Sequence, residues 1–155
     1  MGITISSDGN PKSAMLERDK IARGAIYASK EIWSNSYVHP SKKLQLYFEQ
    51  KLPIFLYGAE LWPLSKTTCE AIESWHKHAI RVAIAPRWNP EKEDYHIYLQ
   101  RVTNNAEKLY NANFKHPIVC YIEKVLTHFA AVDNAKIKRP AVKSIMREVY
   151  EWRST

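Results

Sequence analysis

Ile72-Glu73-Ser74-Trp75-His76-Lys77-His78-Ala79-Ile80-Arg81-Val82-Ala83-Ile84 repeats its apolar residues with the period of an α-helix, and that period decides the fold class. Cys69, Ile72, Trp75, His76, Ala79, Ile80 and Ala83 share one arc of the helix, while Glu70, Glu73, Lys77 and Arg81 share another. Ser65 or Thr67 can cap its start, and Pro86 bounds its end. Working upstream, Ser41 opens a second helix from Lys42 to Glu60, expected to kink at Pro53 and to stop at Pro63. Ser13 caps a first helix from Ala14 to Trp33, whose Glu17 and Asp19 complement the helix dipole, and Val38-His39-Pro40 cannot continue it. Before it, Gly2 to Ser6 alternates like a short strand and Asp8-Gly9-Asn10-Pro11 signals a turn.

Downstream, residues 86–95 form a charged, Pro-bounded loop, and three further helices are predicted: Tyr95 to Tyr110, Pro117 to Val132 and Pro140 to Trp152. The expectation is an all-α bundle of five to six helices with a short N-terminal strand. Residues 1–10 would be the strand and turn, 11–88 a helical bundle, and 89–155 a basic helical extension.

The 155 residues suit one ordinary domain, and 45% hydrophobic with 25% charged residues and four glycines describe a globular, helix-rich chain. Twenty-three Lys and Arg against sixteen Asp and Glu give +7, a balance that favours polyanionic partners through counterion release. The excess is concentrated late, where Lys136, Lys138, Arg139, Lys143 and Arg147 form the densest basic run. Tyr150 and Trp152 would anchor its helix. Two distant cysteines, Cys69 and Cys120, offer neither a disulfide framework nor zinc-ligand spacing. That predicts a reducing, intracellular setting, nucleus or cytoplasm, and no metal or other cofactor. The polar start and the short apolar run Leu52 to Tyr57 predict neither a leader nor a membrane span.

Between the second and third helices stands Leu56-Tyr57-Gly58-Ala59-Glu60-Leu61-Trp62, and far upstream stands Gly2-Ile3-Thr4-Ile5-Ser6-Ser7-Asp8-Gly9. This pairing resembles the non-LTR (LINE-type) retrotransposon reverse transcriptases, where a "YLGxxIxxDG" segment leaves the palm and an "LLYGxExW" segment marks the thumb. The helix from Ile72 to Ile84 is similar to the family's "LExxHxxxLRxI" helix, and Arg87-Trp88 to the Trp-containing loop after it. The resemblance covers residues 2–88; the first motif survives only in part, and beyond Trp88 the likeness is one of general character. It implies a thumb and post-thumb region whose partners are a template–primer duplex of RNA, DNA or an RNA–DNA hybrid, and a polymerase palm. The family's metal-binding aspartates lie in the palm, ahead of the segment that Gly2 would end. None of the four aspartates here, Asp8, Asp19, Asp94 and Asp133, adjoins another, and the single acidic doublet, Glu93-Asp94, lies in a Pro-flanked loop, whereas two-metal phosphoryl transfer needs carboxylates held by rigid elements. The expectation is therefore a non-enzyme: an excised piece of a polymerase, or an independent descendant.

The candidate contacts are cations. On the first helix Lys20, Arg23 and Lys30 share a stripe with Tyr27, which suits a nucleic-acid backbone or an ordinary solvated face. Lys42 and Lys43 open the second helix. On the third, Lys77 can pair with Glu73 for only about 0.2–0.5 kcal/mol, which leaves it able to answer a phosphate. Arg81 either meets nucleic acid or bonds a neighbouring loop, and Arg87 follows in the Trp loop. Lys138, Arg139, Lys143 and Arg147 can track phosphates along the last helix or form a solvated face. His76 reads as a core histidine and Glu60 as a bridge between helices. Tyr57, Trp62, Trp75 and Trp88 read as core rather than as base-stacking rings. The leading expectation is a non-catalytic, sequence-independent grip on nucleic acid by a monomer or weak homodimer. The alternative is a domesticated remnant used for protein interaction or dimerisation.

Overall fold

The computed structural model describes residues 12–133, and the described residues are all-α. The expected strand and turn before residue 12, and the expected helix from Pro140, lie outside them. Seven α-helices follow in order: α1 Lys12–Tyr27, α2 Lys30–Ser34, α3 Pro40–Leu46, α4 Leu52–Phe55, α5 Lys66–Ile84, α6 Tyr95–Asn113 and α7 Pro117–Asp133. A π turn, Tyr47–Lys51, joins α3 to α4, and a 3₁₀ turn, Ala59–Leu61, precedes α5. No described helix is long and apolar enough to cross a membrane.

α5 is the hub, packed against α1, α2, α3, α6 and α7. Its start is the expected one: the Ser65 hydroxyl accepts the Thr68 N–H at 3.2 Å. The predicted apolar arc, Cys69 to Ala83, is buried in full. Around it the core is aromatic. Phe55 stacks on Trp75 at 4.1 Å with planes 4° apart, Trp62 meets Phe55 edge-on, and Tyr47 and Tyr110 close the far side. Tyr121 of α7 fastens the 3₁₀ turn, its hydroxyl donating to the carbonyls of Trp62 and Pro63 at 3.0 Å each. Residue 88 is not a break in packing, because Ala106, Tyr110, Ile118, Tyr121 and Val125 belong to the same core cluster as Trp75.

Two predicted helices are divided. The first does not run to Trp33. The Ile26 carbonyl, which a continuous helix would give to Lys30, instead accepts Ser29 N–H at 3.1 Å and the Trp33 indole N–H at 2.6 Å. Ser29 also turns its hydroxyl back to Ala25, the competition by which serine weakens helices.

The second begins two residues earlier than expected, at Pro40 and not at Lys42. His39 is the cap, with its Nδ1 accepting Ser41 N–H, and Pro40 takes the first helical position. Pro53 brings no simple kink. Its ring would collide with the carbonyl four residues back, and the turn before it widens so that Leu52 N–H reaches Tyr47. The helix then ends at Phe55, since Gly58 adopts φ 74°, a left-handed conformation that glycine takes without a Cβ penalty.

Candidate nucleic-acid interface

α1 and α5 lie side by side, and their exposed edges bring predicted cations together. Arg23 is held by Asp19 one turn earlier, at 2.7 Å. One turn further along α1 the Tyr27 hydroxyl meets Nε2 of His78 on α5 at 3.3 Å. Burial, and then the guanidiniums of Arg23 and Arg81, hold His78 below the ordinary imidazole value, with Asp19 pulling the other way. The positive charge of this seam is that of Arg81 and of Arg23, the latter offset in part by Asp19. His78 was not among the residues singled out from the sequence, since the Tyr27 contact exists only once α1 and α5 pack.

Arg81 is oriented by α6, its Nη1 donating to the Thr103 hydroxyl at 3.1 Å, and Thr103 donates in turn to the Leu99 carbonyl. The structural bond thus goes to a helix and not to a loop, and Arg81 stays partly exposed. Beyond it, Tyr27, Lys30, Trp33, Lys43, Val82 and Arg87 line a groove of about 680 Å³ between the α1–α2 corner and the end of α5. Lys30 and Arg87 are exposed on its rim, and Lys20 is exposed on α1. Lys42 is also exposed, with its ammonium on Gln45 at 3.1 Å.

Two predicted phosphate contacts are corrected. Lys43 is only 8% exposed, and its ammonium donates to the Trp33 carbonyl at 2.6 Å, closing the C-terminal end of α2 where a cation suits the helix dipole. It is a structural lysine. Lys77 meets not one carboxylate but two, Glu73 at 3.3 Å and Glu107 of α6 at 3.4 Å. Burial pulls its ammonium down, yet the two carboxylates outweigh that and raise it. This lysine ties α5 to α6, and a phosphate would compete for it with two carboxylates, as it would compete with Asp19 for Arg23. Lys138, Arg139, Lys143 and Arg147, with Tyr150 and Trp152, lie outside the described residues.

The aromatic expectations divide. Trp62 and Trp75 are core, and His76 is a buried core histidine bonded to Tyr47. Tyr57 is half-exposed with the buried Arg18 guanidinium 4.6 Å over its ring, and Trp88 is 41% exposed. Glu60 bridges helices as expected, reaching Lys124 of α7 at 3.7 Å.

No protein-family model matches the chain, and no curated protein or solved structure matches it. Among the described residues, no three His, Cys, Asp or Glu stand close enough together to hold a metal ion. What the surface offers is a set of donors and positive charge suited to anionic oxygens.

Proposed function

We propose that the chain is a non-catalytic, thumb-like grip on nucleic acid, holding the backbone of a duplex or RNA–DNA hybrid without reading sequence. The observation that carries this reading is the shared edge of α1 and α5, where Tyr27 meets His78 and where Arg23 and Arg81 supply the positive charge, beside a groove rimmed by Lys30 and Arg87. Positive groups on rigid helices track phosphates, whereas base-edge recognition needs side chains inserted into a groove of the nucleic acid. The motif resemblance to non-LTR reverse transcriptase thumbs supports the same partner, with a polymerase palm as the natural neighbour. Filter binding of a labelled RNA–DNA hybrid tests it. Binding should be independent of sequence and should weaken steeply with salt. A hybrid not retained at low salt ends the proposal, and template-dependent primer extension above a no-protein control ends its non-catalytic part.

One observation favours the second reading, a remnant serving as a protein-interaction module. Met15, Leu16, Phe55, Pro63 and Trp75 line an apolar groove of about 370 Å³, and Leu16 is 55% exposed there. Exposed apolar surface of this kind often marks contacts between proteins. Light scattering against concentration separates the readings, since a dimer that persists while nucleic acid is ignored supports only the second.

A further inference from the structure

Beside the basic groove lies an aromatic surface that phosphate contacts alone do not use. Trp88, in the loop after α5, meets Tyr95 at the first position of α6 with centroids 5.1 Å apart and planes at 72°. Tyr95 stacks in turn on Tyr98, 6.0 Å away. The cluster is fixed at three points. The Trp88 indole donates to the Glu93 carbonyl at 3.1 Å, the Tyr98 hydroxyl donates to the Pro86 carbonyl at 2.7 Å, and Asp94 caps α6 by accepting His96 N–H. Trp88 is nevertheless 41% exposed and Tyr95 53%. Rings held rigidly yet left open to solvent are an unusual use of tryptophan and tyrosine, which otherwise bury their faces.

Its neighbours suit a nucleotide. Pro86 and Arg87 belong both to this loop and to the wall of the groove that carries Lys30, so the rings adjoin the positive surface directly. Two of the nearby carboxylates are already engaged, Glu93 by Arg101 and Asp94 by its own helix cap. We infer that Trp88, braced edge-to-face by Tyr95, is a stacking platform for an unpaired base of a single strand, whose phosphates run on to Arg87 and the groove. The inference rests on the nucleic-acid reading above and adds a preference to it: single-stranded segments, or the frayed end of a duplex, gain contacts that a fully paired duplex cannot make. Stacking tolerates any base, because every base has a π-face.

Fluorescence anisotropy with labelled oligothymidylate and with a blunt duplex of equal length, at one low salt concentration, tests the platform. Trp88→Ala should weaken single-strand binding roughly 5-fold or more, the low end of what one stacked base contributes, and Tyr95→Ala, which removes the brace, should weaken it less; both should leave duplex binding unchanged. Trp88→Phe keeps a ring and loses the indole bond to Glu93, so it should retain most single-strand affinity; this separates stacking from loop structure. Unchanged single-strand binding in Trp88→Ala overturns the platform while the phosphate reading stands. Equal losses on strand and duplex also overturn it. Failure of the unaltered protein to bind either probe removes the phosphate reading and the platform together.

Discussion

The Tyr47 hydroxyl lies 2.9 Å from Nδ1 of His76 in the middle of the core, and the other ring nitrogen of His76, also buried, has no hydrogen-bond partner. Around this pair stand Tyr110, the His116 ring at 5.5 Å, and beyond it Glu73, which binds His116 and Lys77. Burial, then the charge of His116, pushes His76 from 6.5 down to about 3, with Glu73 resisting. The imidazole is therefore a neutral strut between the π turn and α5, and its ionisation is incompatible with the packed core.

A folded value below the unfolded one means that the unfolded chain takes up a proton first. The contribution of His76 should be constant above 6.5 and fall as pH drops from 6.5 toward 3. Glu73, held down to about 2 chiefly by its bond to His116, adds a second loss between its ordinary 4.5 and that value. Thermal melts across pH check both. His76→Gln keeps a partner for Tyr47 without titrating and should reduce the loss between 6.5 and 5 to the part that His78, also held below the ordinary imidazole value, contributes; an unchanged acid profile would contradict the neutral strut.

Lys42 and Lys43 are neighbours in sequence and opposites in structure. Lys43→Ala leaves the Trp33 carbonyl without its donor at a buried site and should cost about 1–3 kcal/mol in urea unfolding. Lys42→Ala, on the surface, should stay within about 0.5 kcal/mol of the parent. Equal effects would remove the structural role assigned to Lys43.

Gly58→Ala should destabilise by roughly 1–2 kcal/mol, because φ 74° places a Cβ against the following carbonyl oxygen. Gly58→Asn should cost less, since asparagine visits that region more readily. An alanine variant as stable as the parent would show that the turn between α4 and the 3₁₀ segment relaxes at no cost.

What could be read from sequence, and what could not, follows the range of the interactions involved. α5 was legible because its apolar arc and its Ser65 cap are local, and so was the start of α7, which is a proline. The break after Tyr27 was not, because it depends on an indole reaching back seven residues to a helix carbonyl. The same holds for the site. Arg23, Lys30, Arg81 and Arg87 were nameable from type and period, but Lys43 and Lys77 looked like them and differ only through Trp33 and Glu107, partners that folding supplies. Aromatics at helical spacing are more often core, which is how Trp88 reads from the sequence; its exposure is decided by how the loop and α6 pack, and no spacing in the sequence encodes that.

The proposed phosphate contacts are sorted by the surroundings of each cation and not by their number. Log affinity for an RNA–DNA hybrid should fall with log salt by roughly 0.7–0.9 per phosphate neutralised. Arg23→Glu, Lys30→Glu, Arg81→Glu and Arg87→Glu together should abolish binding at low salt. Lys77→Gln alone uncovers the charge of Glu73 and Glu107 and should weaken binding, whereas Lys77→Gln with Glu107→Gln, which removes one charge of each sign, should leave affinity and slope nearly unchanged. Arg81 also orients Thr103, so Arg81→Lys, with a melting curve, distinguishes lost charge from a loosened α5–α6 contact. Reversal of Lys138, Arg139, Lys143 and Arg147 in a separate variant measures what the C-terminal basic run adds. Binding that survives the fourfold reversal, or that the Lys77 and Glu107 double variant weakens as strongly as Arg23→Glu does, would place the nucleic acid on another face of the bundle.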